Sequence, residues 1–238
     1  MSLLSMRKGE RFLVHSAEIL QRHGVTLEVG HDFGLYREIL RTARPDHELG
    51  APFDPARHRL EADNALWIVG RDRDGEVMHS QALRMLDLGG RNVAQYFTRR
   101  FRDFPPSGVA LDLPRCRYRA GPGAGRMRGQ VAYHGEFWIG GEAGQFRGAG
   151  LSCILGRFGF WQAIQHWDPD HVIAFMVKAV AFKGLAERTG WMHTEPGALR
   201  WFLAGESKPV EGFMAYMGRE DLRYVLNLPL ADLMPLAA

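Results

Sequence analysis

The chain has 238 residues, 46% of them hydrophobic and 24% charged, with a formal net charge of +3. This is the composition of a globular protein of one large domain or two small ones. No apolar run approaches the roughly 20 residues that span a bilayer, the opening MSLLSMRKGERFLVHS lacks the apolar core of a secretory signal, and Cys116 and Cys153 offer no disulfide framework. The expectation is a cytoplasmic protein without a membrane span. The mild charge gathers at RRFRD (99–103) and along 114–129, with no nucleic-acid recognition motif beside it. Such patches suit small anionic phosphates or an acidic carrier protein, or are plain solvated surface.

Taken in order, residues 8–23 predict a helix with Phe12, Ile19 and Leu20 near one face, stopped by Gly24. VTLEV (25–29) predicts a strand and 34–43 a helix ended by Pro45. The polar stretch 45–63 is a long loop, and loops of that length are often functional. ALWIVGRD (65–72), Asp74-Gly75 and VMHSQALRML (77–86) predict a hairpin. A short helix is expected around VAQYFTRRF, an irregular strand over 109–118 with Pro114 inside it, and a loop at GPGAG (121–125). QVAYHGEFWIGG (130–141) reads as a strand, LSCILGRFGFWQAIQHW as a helix, HVIAFMV (171–177) as a buried strand and 178–191 as a helix ending at Gly190. Two strands, 198–205 and 212–217, and a closing helix, REDLRYVL, complete a β-α-β-β-β-β-α-β-α-β-β order. This predicts an α/β (α+β) fold: one domain over 25–238, with a mixed, mostly antiparallel central sheet flanked by helices, preceded by a helical extension over 1–24.

Between the strand at 130–141 and its helix lies GQFRGAGLSC (144–153). Glycine lets another group approach the backbone closely, and a helix N-terminus carries free N–H groups and a positive dipole end. A glycine-rich entry to a helix can cradle a phosphate, or be an ordinary flexible loop.

Gln145-Phe146-Arg147-Gly148-Ala149-Gly150 resembles the Gln/Arg-x-x-Gly-x-Gly/Ala motif of the GNAT acetyltransferase superfamily. The resemblance implies that backbone amides of this loop hold the pyrophosphate of an acyl-CoA. A narrower resemblance, over most of 25–227, is to the autoinducer branch, the acyl-homoserine-lactone synthases of quorum sensing. Arg41 precedes Leu49-Gly50 as that branch's early Arg precedes Leu-Gly; Asp63 and Arg84 flank the hairpin; Asp112-Leu113-Pro114-Arg115-Cys116 stands in place of Glu-x-Ser-Arg-Phe; and ERTGW resembles Arg-x-x-Gly-Trp. The chain departs from the pattern where Asp112 replaces Glu, where Pro114 and Cys116 replace Ser and Phe, and where Pro45 and Ala51 stand for aromatics. Ala186 occupies the place of the general-acid Tyr of many acetyltransferases.

Either branch transfers an acyl group from a thioester, CoA-linked or on an acyl-carrier protein, to an amine, which is S-adenosylmethionine in the autoinducer branch. A carboxylate must take the amine's proton, directly or through one water. Asp112 and Glu136 are the candidates, expected on neighbouring strands, and strand alternation puts His134 on the face of Glu136. Backbone N–H groups at about 137–140 would stabilise the thioester oxyanion, and Phe137, Trp138 and Ile139 would wall the donor or simply pack the core. The resemblance makes Arg41, Asp63, Arg84 and Arg115 the substrate-organising set; Arg suits bidentate bonds to carboxylates. A metal is not expected, since HWDPDH (166–171) spans a helix end and a strand start and no HExxH spacing occurs. A plain acetyl-CoA-dependent N-acetyltransferase and a non-catalytic acyl-CoA-binding protein are the alternatives.

Overall fold

The computed structural model describes residues 10–141, 146 and 150–230. Helix α1 (Glu10–Arg22) leads into strand β1 (Thr26–Gly30) and helix α2 (Phe33–Ala43). The start of α2 is set by Asp32, whose carboxylate accepts from the amides of Gly34 (2.8 Å) and Leu35 (3.0 Å), two of the donors a helix start leaves open. The hairpin β2 (Ala65–Arg71) and β3 (Val77–Leu86) follows. Helix α3 (Val93–Arg100) opens on a capping box between Asn92 and Gln95. A short strand β4 (Arg117–Tyr118) and a short helix α4 (Pro122–Arg126) precede β5 (Val131–Ile139) and the long helix α5 (Leu151–Trp167). The chain closes through β6 (His171–Val177), short helices α6 (Lys178–Ala181) and α7 (Leu185–Thr189), β7 (His193–Trp201), β8 (Val210–Gly218) and α8 (Arg219–Asn227).

The eight strands form one sheet in the order β1-β2-β3-β5-β6-β8-β7-β4. Every neighbouring pair is antiparallel except β5 and β6. Apolar cores lie on both faces. On one, Phe12, Ile19 and Leu20 of α1 join Leu155 and Phe160 of α5 and Leu222 of α8. On the other, Tyr36 and Leu40 of α2 join Phe97 of α3 and Phe104. The chain is thus a single α/β domain with a mixed, mostly antiparallel sheet flanked by helices, as composition and pattern predict.

Four local expectations are corrected. The predicted strand over 109–118 is reduced to an isolated bridge, Leu111 to Leu203, and the two residues of β4. Pro114 has no N–H to give a ladder, and the amide of Arg115 turns back on the Asp112 carbonyl. GPGAG is not only loop: Pro122 starts α4, where its missing N–H costs nothing. The helix predicted over 178–191 is two pieces, because Gly184 takes a left-handed φ of 72° between them. Strand β7 begins at His193, before its predicted start, and carries a register shift between Glu195 and Leu199.

Candidate active site

The site is built by the one parallel pair. Strands β5 and β6 are in register from Val131↔His171 to Tyr133↔Ile173, and there the pairing stops. Beyond that point β5 stays with β3 as far as Ile139↔His79, and β6 stays with β8 as far as Val177↔Gly212. Two strands held by outer neighbours but not by each other leave a wedge through the sheet. A cavity of about 360 Å³ occupies it, reached by Arg44, His47 and Glu136 from one side and by His134, Leu185 and Trp191 from the other.

The wedge begins at a β-bulge. On β3 the paired residues Ser80 and Ala82 are two apart, whereas their partners Trp138 and Gly135 on β5 are three apart. Glu136 is the extra residue and adopts a left-handed φ of 56°, which a non-glycine residue rarely takes. The bulge reverses the alternation of side chains. His134 points to the α5 side, where its Nε2 is 2.7 Å from Gln81 Oε1, while Glu136 points to the α2 side. The expected sharing of a face by His134 and Glu136 is therefore corrected.

Glu136 is held on both oxygens. Oε2 accepts from His47 Nε2 at 2.9 Å, and Oε1 accepts from the Gly50 amide at 3.0 Å. A carboxylate can only accept, so His47 carries its proton on Nε2. The side chain of Glu136 is 8% exposed and that of His47 28%, so the pair reaches from the buried wedge towards solvent. Arg44 lies over the Trp138 ring at 4.8 Å. Burial pushes its guanidinium down, and Glu136 pulls it back up. Burial first, and Glu136 second, push the Tyr36 hydroxyl well above its ordinary range. The neighbourhood of Glu136 thus combines one carboxylate, one cation and a dry phenol.

His134 is the opposite case. Gln81 donates to the Leu155 carbonyl, so its Oε1 is the acceptor and His134 Nε2 must carry the proton. Burial, and then His79, hold the imidazole down to about 3. It is neutral at physiological pH and, stacked on Trp191 at 5.8 Å, is a hydrogen-bonding wall rather than a base.

The open edge of β5 supplies an amide. The Glu136 carbonyl accepts from Ser80 Oγ, the Trp138 carbonyl from His79 Nδ1, and the Gly140 amide donates to Met78, so the even positions face β3. Strand alternation turns the Phe137 N–H to the wedge. The Phe137 side chain lines the cavity, Ile139 packs on the α5 side and Trp138 faces Arg44.

The other sequence-predicted residues lie as follows. Gln145, Arg147, Gly148 and Ala149 fall outside the described residues. Phe146 is buried in the α5-side core, and Gly150 caps α5 with a left-handed φ of 77°. Asp112 is corrected: it is not on a strand next to Glu136 but on the segment bridged to Leu203, with its amide on the Phe202 carbonyl and Arg115 at 3.6 Å. Strands β6, β8 and β7 separate that edge from β5. Arg115 stacks on Phe202 at 4.0 Å. Arg41 is exposed and paired with Glu38 at 2.7 Å, Asp63 is exposed beside Arg59, and Arg84 donates to the Pro52 carbonyl at 2.7 Å while lining a different cavity. The structure does not gather these four residues at the wedge. The acidic pair of HWDPDH meets Arg219, with Asp170 at 3.1 Å. Sequence reasoning missed His47 and Arg44; the only signal was the length of the loop after α2.

Neither a protein-family model nor a curated protein matches the chain. Solved structures similar to it include N-acetyltransferases and an N-acyl amino acid synthase. FeeM, an N-acyl amino acid synthase from uncultured soil microbes, aligns with a TM-score of 0.48 at 11% identity over 88% of this chain and 97% of its own. A spermidine N-acetyltransferase, a chimera of Vibrio cholerae SpeG and hSSAT, gives 0.45 at 11% identity over 84% and 98%. An N-acetyltransferase from Staphylococcus aureus Mu50 gives 0.43 at 9% identity over 82% and 99%. The likeness is one of chain path, and the chemistry of the wedge follows from its own geometry.

Proposed function

We propose that the chain is an acyltransferase of GNAT type that moves an acyl group from a thioester to a small-molecule amine in the wedge between β5 and β6. The observation that carries the reading is Glu136: a carboxylate placed by a strand bulge at the point where the parallel pair opens, oriented by His47 and the Gly50 amide. In the reaction the amine nitrogen bonds to the thioester carbon, the C–S bond breaks, the amine gives up one proton and the thiol leaves with one. Glu136 takes the amine's proton directly or through one water. The Phe137 N–H is aimed where the thioester oxygen becomes negative. Phe137, Met176, Val177 and Trp191 give the acyl group an apolar wall. The glycine-rich entry to α5 is the proposed seat of the donor's pyrophosphate, with Gly150 at the helix start.

The donor is a CoA thioester, or the same thioester on an acyl-carrier protein. Nothing in the wedge singles out S-adenosylmethionine, because the acids and arginines that the autoinducer resemblance implies lie elsewhere. The apolar wall supports an acyl chain longer than acetyl, and plain acetyl transfer is the other reading. Thermal shift with free CoA and acyl-CoAs of increasing length tests both, since a ligand of the folded state raises its stability. Stabilisation growing with chain length supports the long-chain reading, and a maximum at acetyl-CoA supports the other. Absence of any shift, together with no turnover of a carrier-linked thioester, overturns both.

A further inference from the structure

A second cavity, of about 410 Å³, opens on the α3 side of the sheet. Four arginines line it: Arg84 from β3, Arg91 just before α3, and Arg99 and Arg100 from the end of α3. Among the described residues two carboxylates face them, Asp87 and Asp103. Asp103 is already taken by Arg100 at 2.5 Å. Among the described residues Arg84, Arg91 and Arg99 make no ion pair. The Nε of Arg84 is shut off from solvent and has no hydrogen-bond partner, although its Nη1 donates to the Pro52 carbonyl. His58, on the same cavity, is held below its ordinary range by burial and then by Arg84.

An uncompensated guanidinium in a recess is costly, and several facing one cavity repel one another. An oxyanion removes both penalties at once. The planar Arg fork matches phosphate oxygens in pairs, and several forks can share one phosphate. The cavity is larger than one ion needs and falls in the range that holds a small metabolite. It is also walled off from the wedge. Phe104 lines it and sets its ring edge-on to Tyr133 at 4.8 Å, and Tyr133 lies 6.2 Å from Phe175, which lines the wedge.

We propose that this cavity is a binding site for a phosphate-bearing small molecule, with Arg84, Arg91 and Arg99 on the phosphate and Arg100 kept in place by Asp103. The site is separate from the acyl-transfer wedge and does not depend on how that wedge is read.

The test is titration of the full chain with inorganic phosphate and with pyrophosphate against chloride at matched ionic strength, read by calorimetry and by thermal midpoint. Saturable binding that chloride does not reproduce is expected. Arg91 and Arg99 are exposed, so Arg91→Gln and Arg99→Gln should fold normally, and each is expected to weaken phosphate roughly tenfold. Arg11→Gln, on α1 across the sheet, should leave the affinity unchanged. A response no greater than that of chloride, or equal in R91Q, R99Q and wild type, overturns the site. Glu136→Gln should bind phosphate as wild type does, and the double variant R91Q/R99Q should keep any response to acyl-CoA. Loss of either would show that the anion belongs to the wedge, and the separate site would be wrong.

Discussion

Nε2 of His47 lies 2.9 Å from Oε2 of Glu136 across 89 residues of sequence. The loop after α2 is thereby tied to the bulge of β5, and the buried carboxylate is held in place by a more exposed donor. His47→Leu keeps much of the side-chain volume but removes that donor, leaving Glu136 Oε2 unheld. It is expected to lower kcat roughly 10- to 100-fold with KM little changed, read from steady-state thiol release. An unchanged kcat would remove His47 from the mechanism.

Gly50 is the other restraint on that carboxylate. A Cβ at position 50 would sit 2.5 Å from Glu136 Oε1, closer than real contacts allow. The backbone there has an ordinary negative φ of −58°, so Gly50→Ala folds without strain of its own and acts by displacing the glutamate. Activity should fall at least tenfold while the thermal midpoint moves by no more than a few degrees, on the scale of about 1 kcal/mol.

The bulge explains why the site was only partly legible in the sequence. YHGEFWI alternates well enough to read as a regular strand, and a regular strand would put His134 beside Glu136. Gly135 was the available sign, since an isolated glycine within a strand marks a bulge. Its Cβ would meet Phe53 at 2.7 Å, so the close approach was real, but the partner lies far away in sequence. The element order was legible because the long strands and α5 are strongly apolar. Residues 109–118 were not, because Pro114 interrupts the ladder and leaves one bridge and the two residues of β4 where the pattern suggests a strand. His47 was missed because its role comes from tertiary placement and no local pattern marks it.

Two buried imidazoles set a pH dependence of stability. Burial holds His79 down to about 4 and His134 to about 3, against about 6.5 for an unfolded histidine. Below pH 6.5 the unfolded chain binds protons that the folded chain refuses. Stability is therefore full above that pH and falls as the pH drops towards the folded values. Together the two histidines remove on the order of 4 kcal/mol between pH 6.5 and 4.5. Denaturant melts across that window should show the fall. His134→Gln keeps a donor for Gln81 and should remove about half of the slope.

Gly156 lets α5 press against α7, which borders the wedge. A Cβ there would lie 2.5 Å from the Thr189 carbonyl oxygen, a backbone atom that cannot swing away. Gly156→Ala should cost roughly 1–3 kcal/mol by overpacking and weaken acyl-CoA binding through the shifted α7. Equal stability in the two proteins would contradict this packing.

The most direct measurement is thiol release by Glu136→Gln beside wild type, with acyl-CoAs of several lengths and a panel of small amines. The substituted side chain is nearly isosteric, but its amide cannot accept a proton from the amine. A loss of about 10²- to 10⁴-fold in kcat, with acyl-CoA binding and the thermal midpoint preserved, is the expected result. Wild-type turnover that survives in Glu136→Gln would contradict the assignment of the wedge carboxylate as the base.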